Sequence, residues 1–113
     1  MMSTMINEIE APQVADLLLN QEHNLLIVDV REIKELAQGI IPGALSIPLA
    51  TIPVRLHELD RNKKIIIVCR SGARSANACY FLAQQGFDNT YNLRGGMMAW
   101  HHYGLEAAIP SVA

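Results

Sequence analysis

The chain has 113 residues, half of them hydrophobic and 18% charged, with a formal net charge of −2. This length suits one domain with a core of its own and excludes two; the composition excludes disorder, and the slight acidity excludes a general attraction to nucleic acid or anionic membranes. No run reaches the roughly 20 apolar residues that cross a bilayer, residues 1–10 lack the basic start and apolar stretch of a signal peptide, and two cysteines without a paired framework fit a reducing compartment, so the expected location is the cytoplasm.

In chain order, residues 4–6 are expected to form a short first strand. Residues 11–19 place Pro12 near a helix start and Val14, Leu17 and Leu18 on one face, the pattern of an amphipathic helix. After a polar turn, residues 25–30 are continuously apolar apart from Asp29 near the carboxyl end, as in a strand covered on both faces. Residues 31–37 read as a short charged helix with Glu32 and Glu35 on a solvated face, the alternative being a general acid–base pair. Pro42-Gly43 marks a turn, residues 44–47 a brief strand, and residues 52–59 another helix with His57 at the surface.

Residues 65–68, four β-branched side chains after Lys63-Lys64, read as a second doubly covered strand. Residues 75–85 follow as a helix, with Ser75 as its N-cap and Gly86 just past its end. Residues 90–93 form the last strand, and residues 97–103 the last helix, with Trp100 in the core. The segment after Gly104 is expected to be partly disordered. Alternating helices and buried strands predict a three-layer α/β/α domain around a mostly parallel sheet of about five strands.

Chemistry concentrates at Cys69, between the carboxyl end of a strand and the amino end of a helix. Helix amides without internal partners, the helix dipole, a backbone nest at Gly72 and the charges of Arg70 and Arg74 all favour thiolate, the nucleophilic form. Cys69 is therefore the expected nucleophile, and Arg70, Ser71, Gly72, Ala73, Arg74 and Ser75 the expected binders of an anionic substrate; for Arg74 a loop brace is the competing reading, and for Arg70 a solvent-facing rim position. Asp29 and Arg31 fall in the same zone, where they border the pocket or, in the reading we favour, hold the loop by hydrogen bonds. The loop at Gly95 and Gly96 is expected to wall the pocket, with Met97 at its rim. Cys79, ten residues on, reads as a buried structural thiol, with a disulfide or relay to Cys69 left open.

Cys-Arg-Ser-Gly-Ala-Arg at 69–74, Asp-Val-Arg-Glu at 29–32, Gly-Ile-Ile-Pro-Gly-Ala-Leu-Ser-Ile-Pro-Leu at 39–49 and Leu-Arg-Gly-Gly-Met-Met-Ala-Trp at 93–100 together resemble the single-domain rhodaneses. Ile40 departs from the family pattern, in which histidine is common. The resemblance covers nearly the whole chain and implies a rhodanese fold and a thiosulfate sulfurtransferase. Cys69 would then carry sulfane sulfur as a persulfide, from thiosulfate or another persulfide to cyanide, a thiol or a protein acceptor, with no cofactor and in a monomer or homodimer. A sulfur carrier or interaction module is the rival from another class. Arsenate reduction and phosphatase action are weaker alternatives, because the phosphatase loop has five residues between Cys and Arg where Cys69 and Arg74 enclose four. Nucleotide-binding glycine motifs are missing, adjacent His101 and His102 point different ways and suit no metal, and neither Ser71 nor Ser75 has a hydrolase setting.

Overall fold

The computed structural model describes residues 6–110. Strands β1 (Glu8–Ile9), β2 (Leu25–Asp29), β3 (Leu45–Ser46), β4 (Lys64–Val68) and β5 (Thr90–Leu93) form one sheet in the order β1-β5-β4-β2-β3, with every neighbouring pair parallel. Helices α1 (Ala11–Leu19) and α3 (Gly96–His102) cover one face; α2 (Ala73–Gln84) and 3₁₀ segments at Leu49–Val54 and Leu56–Glu58 cover the other. The α/β expectation holds, with the sheet wholly parallel.

Strand β4 shows why its apolar run was continuous. Ile65 and Ile67 enter the core beneath α2, while Ile66 and Val68 enter the core shared with α1 and α3, because successive side chains leave a strand on opposite faces. All four are at most 1% exposed, so each contributes about 1.5–3 kcal/mol of apolar burial. Cys69, next in the alternation, joins the side under α2.

From β2 the chain moves outward to β3, whereas from β4 it moves the opposite way to β5. The strand order therefore reverses between β2 and β4, and the connections diverge to leave a crevice at their carboxyl ends. Asp29 ends β2 and Cys69 directly follows β4, so topology brings both to that crevice.

Several expectations need correction. The first strand is Glu8–Ile9; Ile6 lies outside it, and Thr4 and Met5 lie outside the described residues. Helix α2 starts at Ala73, capped by Gly72 at φ 106°, so Ser75 is a first-turn residue whose hydroxyl turns into the core instead of capping. Its far end behaves as expected: Gly86 at φ 88° and Phe87 donate to the carbonyls of Ala83 and Leu82, a Schellman ending.

The charged helix after β2 is a 3₁₀ segment, Ile33–Gln38. Residues 52–59 divide into the two 3₁₀ segments, since Pro53 supplies no amide for an α-helical bond. The segment after Gly104 was expected to be partly disordered, but residues 105–110 pack back, and residues 111–113 lie outside the described residues. The Ala108 amide donates to the Ile40 carbonyl and the Ile40 amide to that of Ala108, both at 2.8 Å, while Trp100 Nε1 donates to the Glu106 carbonyl at 2.8 Å. Trp100 is a core residue, as expected.

Candidate active site

The loop between β4 and α2 wraps the Cys69 sulfur. The Gly72 amide donates to Sγ at 3.0 Å, and the Ser75 hydroxyl lies 3.3 Å from it. Burial pushes the thiol up; the Ser75 hydroxyl, with the amides of Ser75, Gly72 and Ser71, outweighs that and holds Cys69 below the ordinary thiol value. Of the influences expected from the sequence, the hydrogen-bond donors thus contribute more than the formal charges of Arg70 and Arg74.

What turns those amides inward is the start of α3. Its Met97 amide donates to the Cys69 carbonyl at 2.8 Å and its Met98 amide to the Arg70 carbonyl at 3.0 Å, so the loop's carbonyls face away from the sulfur. The approach requires Gly96. With φ +57°, a Cβ there would stand 2.6 Å from the Arg70 carbonyl group. Gly95, expected at the pocket border, instead packs against Ala99 and backs Gly72.

Asp29 and Arg31 form a buried, forked ion pair: Arg31 Nη2 donates to Asp29 Oδ2 at 2.8 Å and Nε to Oδ1 at 3.0 Å. Arg31 also donates to the carbonyls of Gly39 at 2.9 Å and Glu35 at 3.4 Å. This is the bracing geometry favoured from the sequence, since Nε and Nη2 are taken up by Asp29 and the Gly39 carbonyl and tie the loop to the end of β2.

The braced loop in turn presents Glu35, which was expected on a solvated face. Instead its carboxylate receives both terminal nitrogens of Arg74, at 2.7 and 2.8 Å. That contact holds the Glu35 carboxyl down at about 2. Arg74 is accordingly a brace between loop and α2, its charge shared with Glu35 and only secondarily felt at Cys69.

A cleft of about 410 Å³ opens beside the loop, lined by Arg31, Glu35, Gln38, Arg70, Met97, Met98 and His101. Arg70 is exposed and, among the described residues, has no ion-pair partner, so its guanidinium is available to an anion. Met97 belongs to the cleft wall, as its rim position implied, though its side chain is almost wholly buried. Asp29 and Gly95 do not line it; Ala73, exposed, opens α2.

Cys79 is free and buried beside Thr90, and burial pushes its thiol up to about 12. Such a neutral thiol is a poor relay. Sequence reasoning missed Asn92 of β5. Its Oδ1 accepts the Ser75 hydroxyl at 2.5 Å and its Nδ2 donates to the Gly72 carbonyl at 3.1 Å. The available signal was alternation: Thr90 and Asn92 are polar residues sharing one face of a strand, yet both are buried.

Comparison with known proteins agrees with this architecture. Residues 10–103 match the model of the rhodanese-like domain. A sulfurtransferase of Allochromatium vinosum is 44% identical over 106 residues, covering 94% of this chain and 98% of its own. The thiosulfate sulfurtransferase GlpE of Shewanella oneidensis is 32% identical, covering 74% of this chain and 82% of its own. The crystal structure of a rhodanese-like domain protein from Staphylococcus aureus superposes with a TM-score of 0.83 at 38% identity, covering 94% of this chain and all of that one. With its cysteine loop at the sheet's reversal point and relatives matched along almost its entire length, the chain belongs to the rhodanese-like domain family of sulfurtransferases.

Proposed function

We propose that the protein transfers sulfane sulfur from thiosulfate, or from another persulfide donor, to a thiol or cyanide through a persulfide on Cys69. The observation that carries this reading is the ring of donors around one sulfur: the Gly72 amide at 3.0 Å, the Ser75 hydroxyl at 3.3 Å and the amides that hold the thiol low. The amides suit both the attacking thiolate and the charged outer sulfur of a persulfide built on it.

In the first half-reaction the Cys69 thiolate attacks the outer sulfur of thiosulfate. A new S–S bond forms, the old one breaks, and its electron pair leaves on sulfite. Arg70, on the cleft wall, supplies a cation for the donor and for the departing sulfite. In the second half an acceptor thiolate or cyanide attacks the outer sulfur of the persulfide, and Cys69 leaves as thiolate. No general base is needed when the nucleophile is already ionised. A free, reactive thiol of this kind fits a reducing compartment such as the cytoplasm.

Phosphatase action gains nothing from Arg74, whose guanidinium is committed to Glu35. The test is the intact mass of reduced protein after thiosulfate treatment. Gain of one sulfur, removed by cyanide and absent in Cys69→Ser, is the expected result; no gain overturns thiosulfate as donor. A gain only from a persulfide donor points to a carrier role instead.

A further inference from the structure

Ser75 Oγ has one proton and two acceptors in reach: Asn92 Oδ1 at 2.5 Å and Cys69 Sγ at 3.3 Å. The hydroxyl is fully buried, so no water competes. The Asn92 amide is fixed in the sense that presents its oxygen to Ser75, because its nitrogen donates to the Gly72 carbonyl at 3.1 Å and to Glu8 Oε2 at 3.4 Å.

We propose that Asn92 is a positioning residue that holds the Ser75 proton while Cys69 Sγ is uncharged and releases it to Sγ when the sulfur becomes a thiolate. The hydroxyl rotates and keeps its proton; the proton lost on ionisation is that of the thiol, and it goes to solvent. For the persulfide half of the argument the inference rests on the function proposed above. There Sγ is an uncharged disulfide-like sulfur, and Ser75 bonds Asn92. As the outer sulfur is taken by an acceptor, charge develops on Sγ and the hydroxyl turns to meet it. A donor that engages chiefly as the leaving charge appears stabilises the transition state more than the ground state.

The charged groups around this chain of contacts are Arg74 with Glu35, Arg31 with Asp29, Glu8 with Arg94, and Arg70 and His101 on the cleft wall; among the described residues none bonds Ser75 Oγ.

The proton-sharing geometry gives opposite signs to two substitutions. Ser75→Ala removes a donor from the thiolate and raises the Cys69 titration midpoint, read by ultraviolet thiolate absorbance. Asn92→Leu removes the rival acceptor, leaves the proton for Sγ and lowers the midpoint by roughly half a unit to one unit, a three- to ten-fold gain in thiolate fraction. In a Ser75→Ala background Asn92→Leu has no such effect. An upward shift in Asn92→Leu, or a downward shift that persists without Ser75, overturns the proposal, since either outcome marks Asn92 as packing or as a field source.

A second measurement needs only one, milder variant. The Asn92 side-chain amide resonance of the wild type moves with the Cys69 midpoint, and most of that movement is lost in Ser75→Ala; an unmoved resonance, or equal movement in both proteins, overturns the switch. Neither titration uses a sulfur donor, so failure to load from thiosulfate would count against the proposed reaction and leave this inference standing.

Discussion

Cys69 and Cys79 lie ten residues apart in the same core, each at most 2% exposed, yet their thiols are shifted in opposite directions. Burial pushes both up. The difference lies in the supply of unpaired donors. Cys69 precedes α2, where the first amides have no partner inside the helix and are free to face the sulfur. Cys79 lies within α2, where the amides of the surrounding turns are engaged in the helix's own hydrogen bonds, and the nearby Thr90 side chain offsets burial only in part. Strand β5 serves both: Thr90 meets Cys79, and two residues on Asn92 meets Ser75. A reactive cysteine in this fold is thus made by its position along a helix, more than by exposure or nearby charge.

The largest effect that follows is selective alkylation. With its thiol at about 12, Cys79 is ionised in roughly one molecule in 10⁵ at pH 7. Iodoacetamide, followed by peptide mass, is expected to modify Cys69 at least about 100-fold faster than Cys79 in the folded protein. The two rates should converge in guanidinium chloride. Comparable rates in the folded state would remove the distinction.

Next comes the device that aims the amides. Gly96→Ala puts a Cβ against the Arg70 carbonyl group at 2.6 Å and forces a left-handed backbone on a residue with a side chain. The start of α3 must then withdraw from the loop carbonyls. We expect a loss of about 2–4 kcal/mol in urea unfolding and a Cys69 titration midpoint raised toward that of an ordinary thiol. A midpoint left unchanged would show that α3 does not organise the loop.

The elements that carry this contrast differed in how well the sequence announced them. The apolar runs in β2 and β4 and the cysteine at a strand end are local patterns, and they located the sheet's centre and its crevice. Gly96 was visible as half of a Gly-Gly pair, though its contact with the Arg70 carbonyl depends on two elements far apart in the chain. Glu35 read as solvated because its partner Arg74 is 39 residues away, and for the same reason the sequence left Arg74 open between substrate binder and loop brace. Asn92 was hidden within a four-residue strand, where a buried polar side chain signals a partner without naming it. Short-range periodicity was legible, whereas pairings between polar groups distant in sequence were not.

A smaller effect tests the inert cysteine. Cys79→Ala is expected to cost about 1–2 kcal/mol, because it removes a buried sulfur beside an existing cavity of about 110 Å³, while sulfur loading of Cys69 is unchanged. The wild type should also lose stability as pH rises above 9. The folded thiol at about 12 lies above the ordinary 9.0, so the unfolded chain ionises first, and stability present below 9.0 is lost toward 12. Measured as a difference from Cys79→Ala, that alkaline loss should vanish in the variant. Persistence of the loss would assign it to other groups.

The smallest effect separates formal charge from hydrogen bonding. Glu35 titrates at about 2 when folded against an ordinary 4.5, so its bond to Arg74 stabilises the protein above pH 4.5, and that contribution disappears as pH falls through 2. The side chains of Arg74 and Glu35 are 35% and 23% exposed, and solvent screening reduces the contribution to below about 1 kcal/mol. Glu35→Gln should therefore lower the urea midpoint slightly at pH 6, and the gap to the wild type should narrow steadily as pH falls from 4.5 toward 2. The substitution also leaves the Arg74 charge uncompensated. If hydrogen-bond donors govern the thiolate, the Cys69 midpoint should fall by less than about half a unit, a smaller change than the rise in Ser75→Ala. A larger fall in Glu35→Gln would return the leading role to the arginine and overturn the ordering drawn from the two cysteines.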